Sequence, residues 1–178
     1  MLIQHAKMTK NDLKTDEYHD YYSDFIEKTE GLDLSSGLVK SRDKIIDFYN
    51  SIPESKAGFR YGKGKWSVKE IIQHHTDTER VFSYRALCIS RGDKTPLPNY
   101  DHDAYVENCD VQNRSIKELI EEYKSVRSAT IALFESFDLD ALMHKGIAGG
   151  HYISVRAIAF ILMGHEIHHC EVLRERYL

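Results

Sequence analysis

ISVRAIAFILMGHEIHHCEVLRERYL, Ile153 to Leu178, carries an apolar stripe through Ile158, Leu162, Val172 and Leu173 that is interrupted by His165 and His169. At the period of an α-helix those two histidines occupy inward-looking positions. An unpaired buried imidazole costs roughly 1–3 kcal/mol, so each must find a partner. Residues four apart stand one above the other on one helix face, and a divalent ion is the partner that satisfies both at once. The pair alone does not decide the matter. Ten histidines in 178 residues give about half of one such pair by chance, so a third ligand is needed.

Upstream, the clearest helix start is Trp66-Ser67, where Glu70 completes a capping box and Trp66 and Ile71 form a hydrophobic staple. The helix it opens runs to about Ser90, and Gly92 is its stop. Its inward stripe through Ile71, Thr78 and Val81 contains His74, with His75 turned by about 100°. A second capping box, Ser115 to Glu118, opens a helix with the stripe Ile116, Leu119, Ile120, Tyr123, Ile131, Phe134 and Phe137. Leu34, Leu38, Ile45, Phe48, Tyr49 and Ile52 mark another long helix, which ends at Pro53. Tyr18, Tyr22, Phe25 and Ile26 predict a short N-terminal helix that docks on the body. Gly146, Gly149 and Gly150 read as a short linker, and no period-2 run is evident. The expectation is an all-α fold, a four-helix bundle over 31–178 preceded by an arm or short helix over 1–30. The connection from Arg91 to Arg114 is long enough to return along the whole body, which permits the helices it joins to run parallel.

Composition excludes several classes. The 24 basic and 28 acidic residues are interspersed, giving a net charge of −4 and a pI near 6.2, so no nucleic-acid surface is expected. No apolar run is long enough for a membrane span. Three cysteines, Cys88, Cys109 and Cys170, form no CxxC, and the first residues lack the apolar core of a signal peptide. A reducing, cytoplasmic setting is expected.

HEIHH also matches HExxH, in which Glu166 would be the general base of a zinc peptidase. That reading fails downstream of the string, where nine residues remain after His169 with no third histidine among them. Three inward histidines on two helices of one bundle, His74, His165 and His169, make a better site.

KWSVKEIIQHHTDTER, SYRALCISRGDKTPLP, NRSIKELIEEYKSVRSAT and, most specifically, ISVRAIAFILMGHEIHHCEVL are similar to the DinB-like (damage-inducible protein B) superfamily of metal-binding four-helix bundles. The resemblance covers nearly the whole chain. It implies an up-down-down-up bundle, a homodimer, and one divalent ion held by three histidines. One of these precedes an aspartate by three residues and two form HxxxH, which selects His74 (with Asp77) and His165 with His169.

Three neutral imidazoles leave a coordination position open, the geometry of catalytic more than of structural sites. Zinc, nickel or iron would suit such a site equally. Asp77 and Glu166 are candidates to orient an imidazole or accept a proton, and no catalytic side chain is otherwise identified. The resemblance implies a metal-dependent enzyme of the thiol-dependent transferase type, with a low-molecular-weight thiol as its small-molecule ligand. The alternative is a noncatalytic bundle whose ion is structural or whose open pocket senses a ligand, with His102 or Asp101 from the connection closing the shell.

Overall fold

The computed structural model describes residues 7–178. Four long helices, α2 (Leu34–Asn50), α3 (Val68–Ser90), α5 (Ile116–Glu135) and α7 (Val155–Arg176), make the body. Their starts are fixed locally. Ser67 and Ser115 accept from the amides of Glu70 and Glu118, whose carboxylates bond back, so both boxes close as the spacing predicts. Ser154 caps α7 by accepting from the Ala157 amide at 3.1 Å. Gly92, with φ of 79°, terminates α3 in a conformation that a side chain would strain.

Two apolar clusters fix the topology. One gathers Leu34 and Leu38 with Phe82, Ala86 and Ile89, Ile131 and Phe134, and Ile158 to Met163. The other gathers Phe48 and Tyr49 with Val68, Ile71 and Ile72, Ile116, Leu119, Ile120 and Tyr123, and Cys170 and Leu173. The first therefore joins the starts of α2 and α7 to the ends of α3 and α5, and the second joins the opposite ends. That is an up-down-down-up bundle, with α3 and α5 parallel. Between the two clusters lies a waist of buried polar residues that includes His74, His75, Glu79, Arg127, His165 and Glu166.

Short elements surround the bundle. The helix α1 (Ser23–Glu27) packs on α7, where Gly164 makes the approach possible: a Cβ there would sit 1.8 Å from the Phe25 carbonyl oxygen. The arm before it is tied to the start of α7 by Glu17, fully buried, which accepts from Ser154 Oγ at 2.8 Å and from Arg156. The connection 91–114 contains a further helix, α4 (His102–Asn108), and α6 (Leu139–Met143) follows α5.

The residues read as a glycine linker are instead a hairpin, β1 (Lys145–Ala148) with β2 (His151–Ser154). Gly149 and Gly150, with φ of 60° and 84°, form the two-residue turn that such pairing demands. Leu97 of the connection joins its edge, donating to Ile147 O at 2.8 Å and accepting from the Gly149 amide at 3.0 Å. Gly146, whose Cβ would meet Ile89, breaks the alternation that would have revealed the strand.

Candidate metal centre

His74 comes from the first half of α3, and His165 and His169 from successive turns of α7. Their Nε2 atoms converge: His165 lies 3.0 Å from His74 and 3.1 Å from His169. One ligand atom from each of the three falls within a common 4.8 Å. Four nitrogens about 2.0–2.1 Å from a zinc ion in tetrahedral array stand about 3.3 Å apart, so the spacing suits an ion of that size.

Neighbouring rings hold this arrangement. Trp66 lies nearly parallel to His169 at 6.3 Å, and Phe25 presents its edge to His165 at 5.4 Å. Burial, followed by the nearness of His102, lowers the His74 pKa to about 3. Burial and the neighbouring imidazoles likewise push His165 and His169 well below the ordinary value. All three are thus neutral at physiological pH, with lone pairs free for a cation.

His75 is the competitor for the α3 position. Its Nδ1 is taken by the Tyr49 hydroxyl across the core, and it is not one of the three converging residues, although its ring lies 5.0 Å from that of His169. The step of about 100° between adjacent helical residues sends His74 to the cavity and His75 inward.

The cluster opens into a cavity of about 470 Å³ walled by α3 and α7, the arm at His19 to Phe25, the connection at Asn99 to His102, and the hairpin. His102 enters this wall, with its ring 5.8 Å from that of His74. Among the described residues no aspartate or glutamate lines the cavity.

Asp77 and Glu166 lie elsewhere. Asp77 accepts from Gln73 at 3.0 Å and pairs with Arg80 at 3.3 Å, beside a neighbouring cavity beneath the connection. Glu166 points into the waist, where it and Glu79 flank Arg127, the latter pair at 3.0 Å. Burial pushes Glu166 up to about 7 against the pull of Arg127, with Glu79 adding to the rise. Arg127 stays charged, since the two glutamates outweigh its own burial.

Sequence reasoning missed this ion cluster and the cavity residues His19, Arg85 and His151. A signal was present for two of them. Arg127 stands on the stripe between Tyr123 and Ile131, and Arg85 follows His74 and Thr78 on one helix face. For His19 and His151 the chain carries none, because the arm and the hairpin reach the site only through tertiary packing.

The model of the DinB superfamily matches residues 38–173. The solved structure of YfiT from Bacillus subtilis, described as a probable metal-dependent hydrolase with an unusual four-helix bundle topology, is similar with a TM-score of 0.69. Its identity is 15%, over 92% of this chain and 91% of that one. The mycothiol-dependent maleylpyruvate isomerase is similar with a TM-score of 0.65 and 12% identity, over 92% of this chain and 62% of that one. At such identities these two establish the fold alone. No curated protein matches the chain at a significant level. The family match spans most of the bundle, both helices of the histidine cluster included, and the chain belongs to the DinB superfamily.

Proposed function

We propose that His74, His165 and His169 hold one divalent metal ion and that the cavity in front of them serves a thiol-dependent transfer. The observation that carries this reading is the convergence of three imidazoles, two buried and the third half-buried, on an open cavity that no carboxylate lines among the described residues. When bound, the ion would act as a Lewis acid that favours the deprotonated form of a thiol. The rest is the work of the chain itself. Burial keeps the ligand nitrogens unprotonated, and Trp66 and Phe25 fix the ring orientations. The arm, the connection and the hairpin exclude bulk water from three sides. No carboxylate is placed to take a proton, which suits a nucleophile already ionised. The similarity to a mycothiol-dependent enzyme supports a low-molecular-weight thiol as the ligand.

Addition of a small thiol to the cobalt-substituted protein is expected to produce a sulfur-to-metal charge-transfer band that is absent in His165→Ala. A spectrum unmoved by cysteine, glutathione or glycosidic thiols removes the transferase reading for those thiols. One observation favours a noncatalytic site: His102 reaches the cavity wall and could close the shell. In that case His102→Ala would weaken metal retention, whereas an open site would hold its ion unchanged.

Tyr21 and Tyr152, each more than half exposed beside the cavity, offer apolar surface for a homodimer. Light scattering is expected to give about twice the 20.7 kDa chain mass, and a monomer mass contradicts this. All three cysteines are unpaired, in keeping with a cytoplasmic setting, and no described helix is long and apolar enough to cross a membrane.

A further inference from the structure

Arg85 is buried in the wall shared by the histidine cavity and the neighbouring cavity beneath the connection, and among the described residues it has no carboxylate within 4.0 Å, Asp77 of that second cavity included. The other two buried arginines differ in this respect, since Arg127 sits between Glu79 and Glu166 and Arg156 against Glu17. One Arg85 nitrogen, Nη2, donates to the Pro98 carbonyl at 2.8 Å. Its guanidinium carbon lies 4.8 Å from the Phe82 ring and 5.8 Å from the Tyr100 ring. A buried cation without a countercharge is costly, and its uncharged partners, the Pro98 carbonyl and the neighbouring Tyr22 hydroxyl, do not neutralise it. If Arg85 only tethered the connection to α3, a neutral donor would do as well.

Among the described residues the cavity lining contains Arg85 and no aspartate, glutamate or lysine, so its fixed charge is positive before any metal is considered. With a divalent ion at the histidines, the potential would be positive at both ends. A guanidinium whose faces meet aromatic rings keeps its edge for a planar, two-oxygen partner. Arg85 follows His74 by eleven residues, three helical turns, which places it on the same face about 16 Å along the axis.

We propose that Arg85 receives a carboxylate of the molecule that occupies the histidine cavity, so that the ligand class is an elongated organic anion. Its reactive end lies at His74, His165 and His169 and its carboxylate at Arg85. The nature of the reactive end rests on the metal and thiol reading above, whereas the carboxylate contact does not. The carboxylate can belong to the thiol itself or to the electrophile that the thiol attacks.

Trp66, the single tryptophan, lines the same cavity and reports its occupancy by fluorescence. In the cobalt-loaded protein, mercaptohexanoate is expected to bind about tenfold more tightly than mercaptohexanol. In Arg85→Gln the acid should lose that advantage while the alcohol binds as before, and Arg85→Lys should restore part of it. In the metal-free protein, plain hexanoate is expected to alter Trp66 fluorescence in the wild type and not in Arg85→Gln. Hexanoate that binds beside mercaptohexanol without displacing it assigns the carboxylate to the electrophile; hexanoate that competes with mercaptohexanol assigns it to the thiol. Equal binding of acid and alcohol together with no hexanoate response overturns the inference, as does an acid preference that survives Arg85→Gln. Failure to take up cobalt would defeat the metal reading instead, and the hexanoate titration would still decide on Arg85.

Discussion

His165 and Glu166 are neighbours in sequence and belong to opposite worlds. His165 joins a cluster of neutral imidazoles open to a cavity, and Glu166 joins a closed cluster of charges in which Arg127 and Glu79 are fully buried. One helical step of about 100° separates them. Both clusters are polar and both occupy the waist of the bundle, yet only one has unsatisfied capacity that a solute can reach. In another fold the same HExxH letters would place a general base beside a metal, whereas here the glutamate is turned to the core and held by Arg127. The charged cluster is closed within the core, and the imidazole cluster faces the cavity.

The largest effect should come from breaking the scaffold half. Arg127→Leu leaves two carboxylates buried without a cation and is expected to cost about 3–5 kcal/mol in urea denaturation. Replacing all three residues at once, Arg127→Met with Glu79→Leu and Glu166→Leu, should recover most of that loss and leave metal content unchanged. A metal site lost in the triple variant, with the fold intact by circular dichroism, would mean that the two clusters are one functional unit.

A smaller effect is expected at the wall of the open half. Gly164→Ala forces a methyl group against the Phe25 carbonyl and should displace α1, at about 1–3 kcal/mol. The arm would then become a preferred site of limited proteolysis, while the two apolar clusters of the bundle persist. Unchanged proteolysis would show that α7 can shift to accommodate the methyl.

The smallest effect is the pH response of the arm. Burial would raise the pKa of Glu17, but its hydrogen bonds from Arg156, Ser154 and the Lys14 amide hold it below the usual carboxylate value of 4.5. Its folded pKa is therefore depressed. The stabilisation is present above about pH 4.5 and is lost as the pH falls through the folded value, with a slope of at most about 1.4 kcal/mol per pH unit. Glu17→Gln should flatten that slope in acid denaturation, and an unchanged profile would place the acid sensitivity elsewhere.

Much of this was legible in the sequence, and the reasons are local. The capping boxes at Ser67 and Ser115 and the helical stripes depend on spacing within one helix, and the pairing of His165 with His169 does too. Selecting His74 over His75 needed the phase of the Ile71 and Thr78 stripe and the family resemblance, because both histidines are buried. The hairpin was missed because four-residue strands offer too few positions for alternation to register, though Gly149-Gly150 was a turn signal. The ion cluster was missed because Glu79, Arg127 and Glu166 lie on three helices, and although Arg127 stands on an inward stripe, nothing within its own helix names its two partners. The cavity was beyond reach for a similar reason, since arm, connection and hairpin converge on it from distant parts of the chain.

The central claim is that the three converging histidines, and not the adjacent His75, hold an ion. It is tested most directly by elemental analysis of protein purified without an affinity tag, comparing the wild type with His74→Ala, His165→Ala, His169→Ala and His75→Ala. The expected result is about one divalent ion per wild-type chain, at least about tenfold less in each of the first three variants, and near wild-type content in His75→Ala. A wild-type protein that neither carries nor takes up a divalent ion would contradict the account, as would His75→Ala losing metal as fully as His74→Ala.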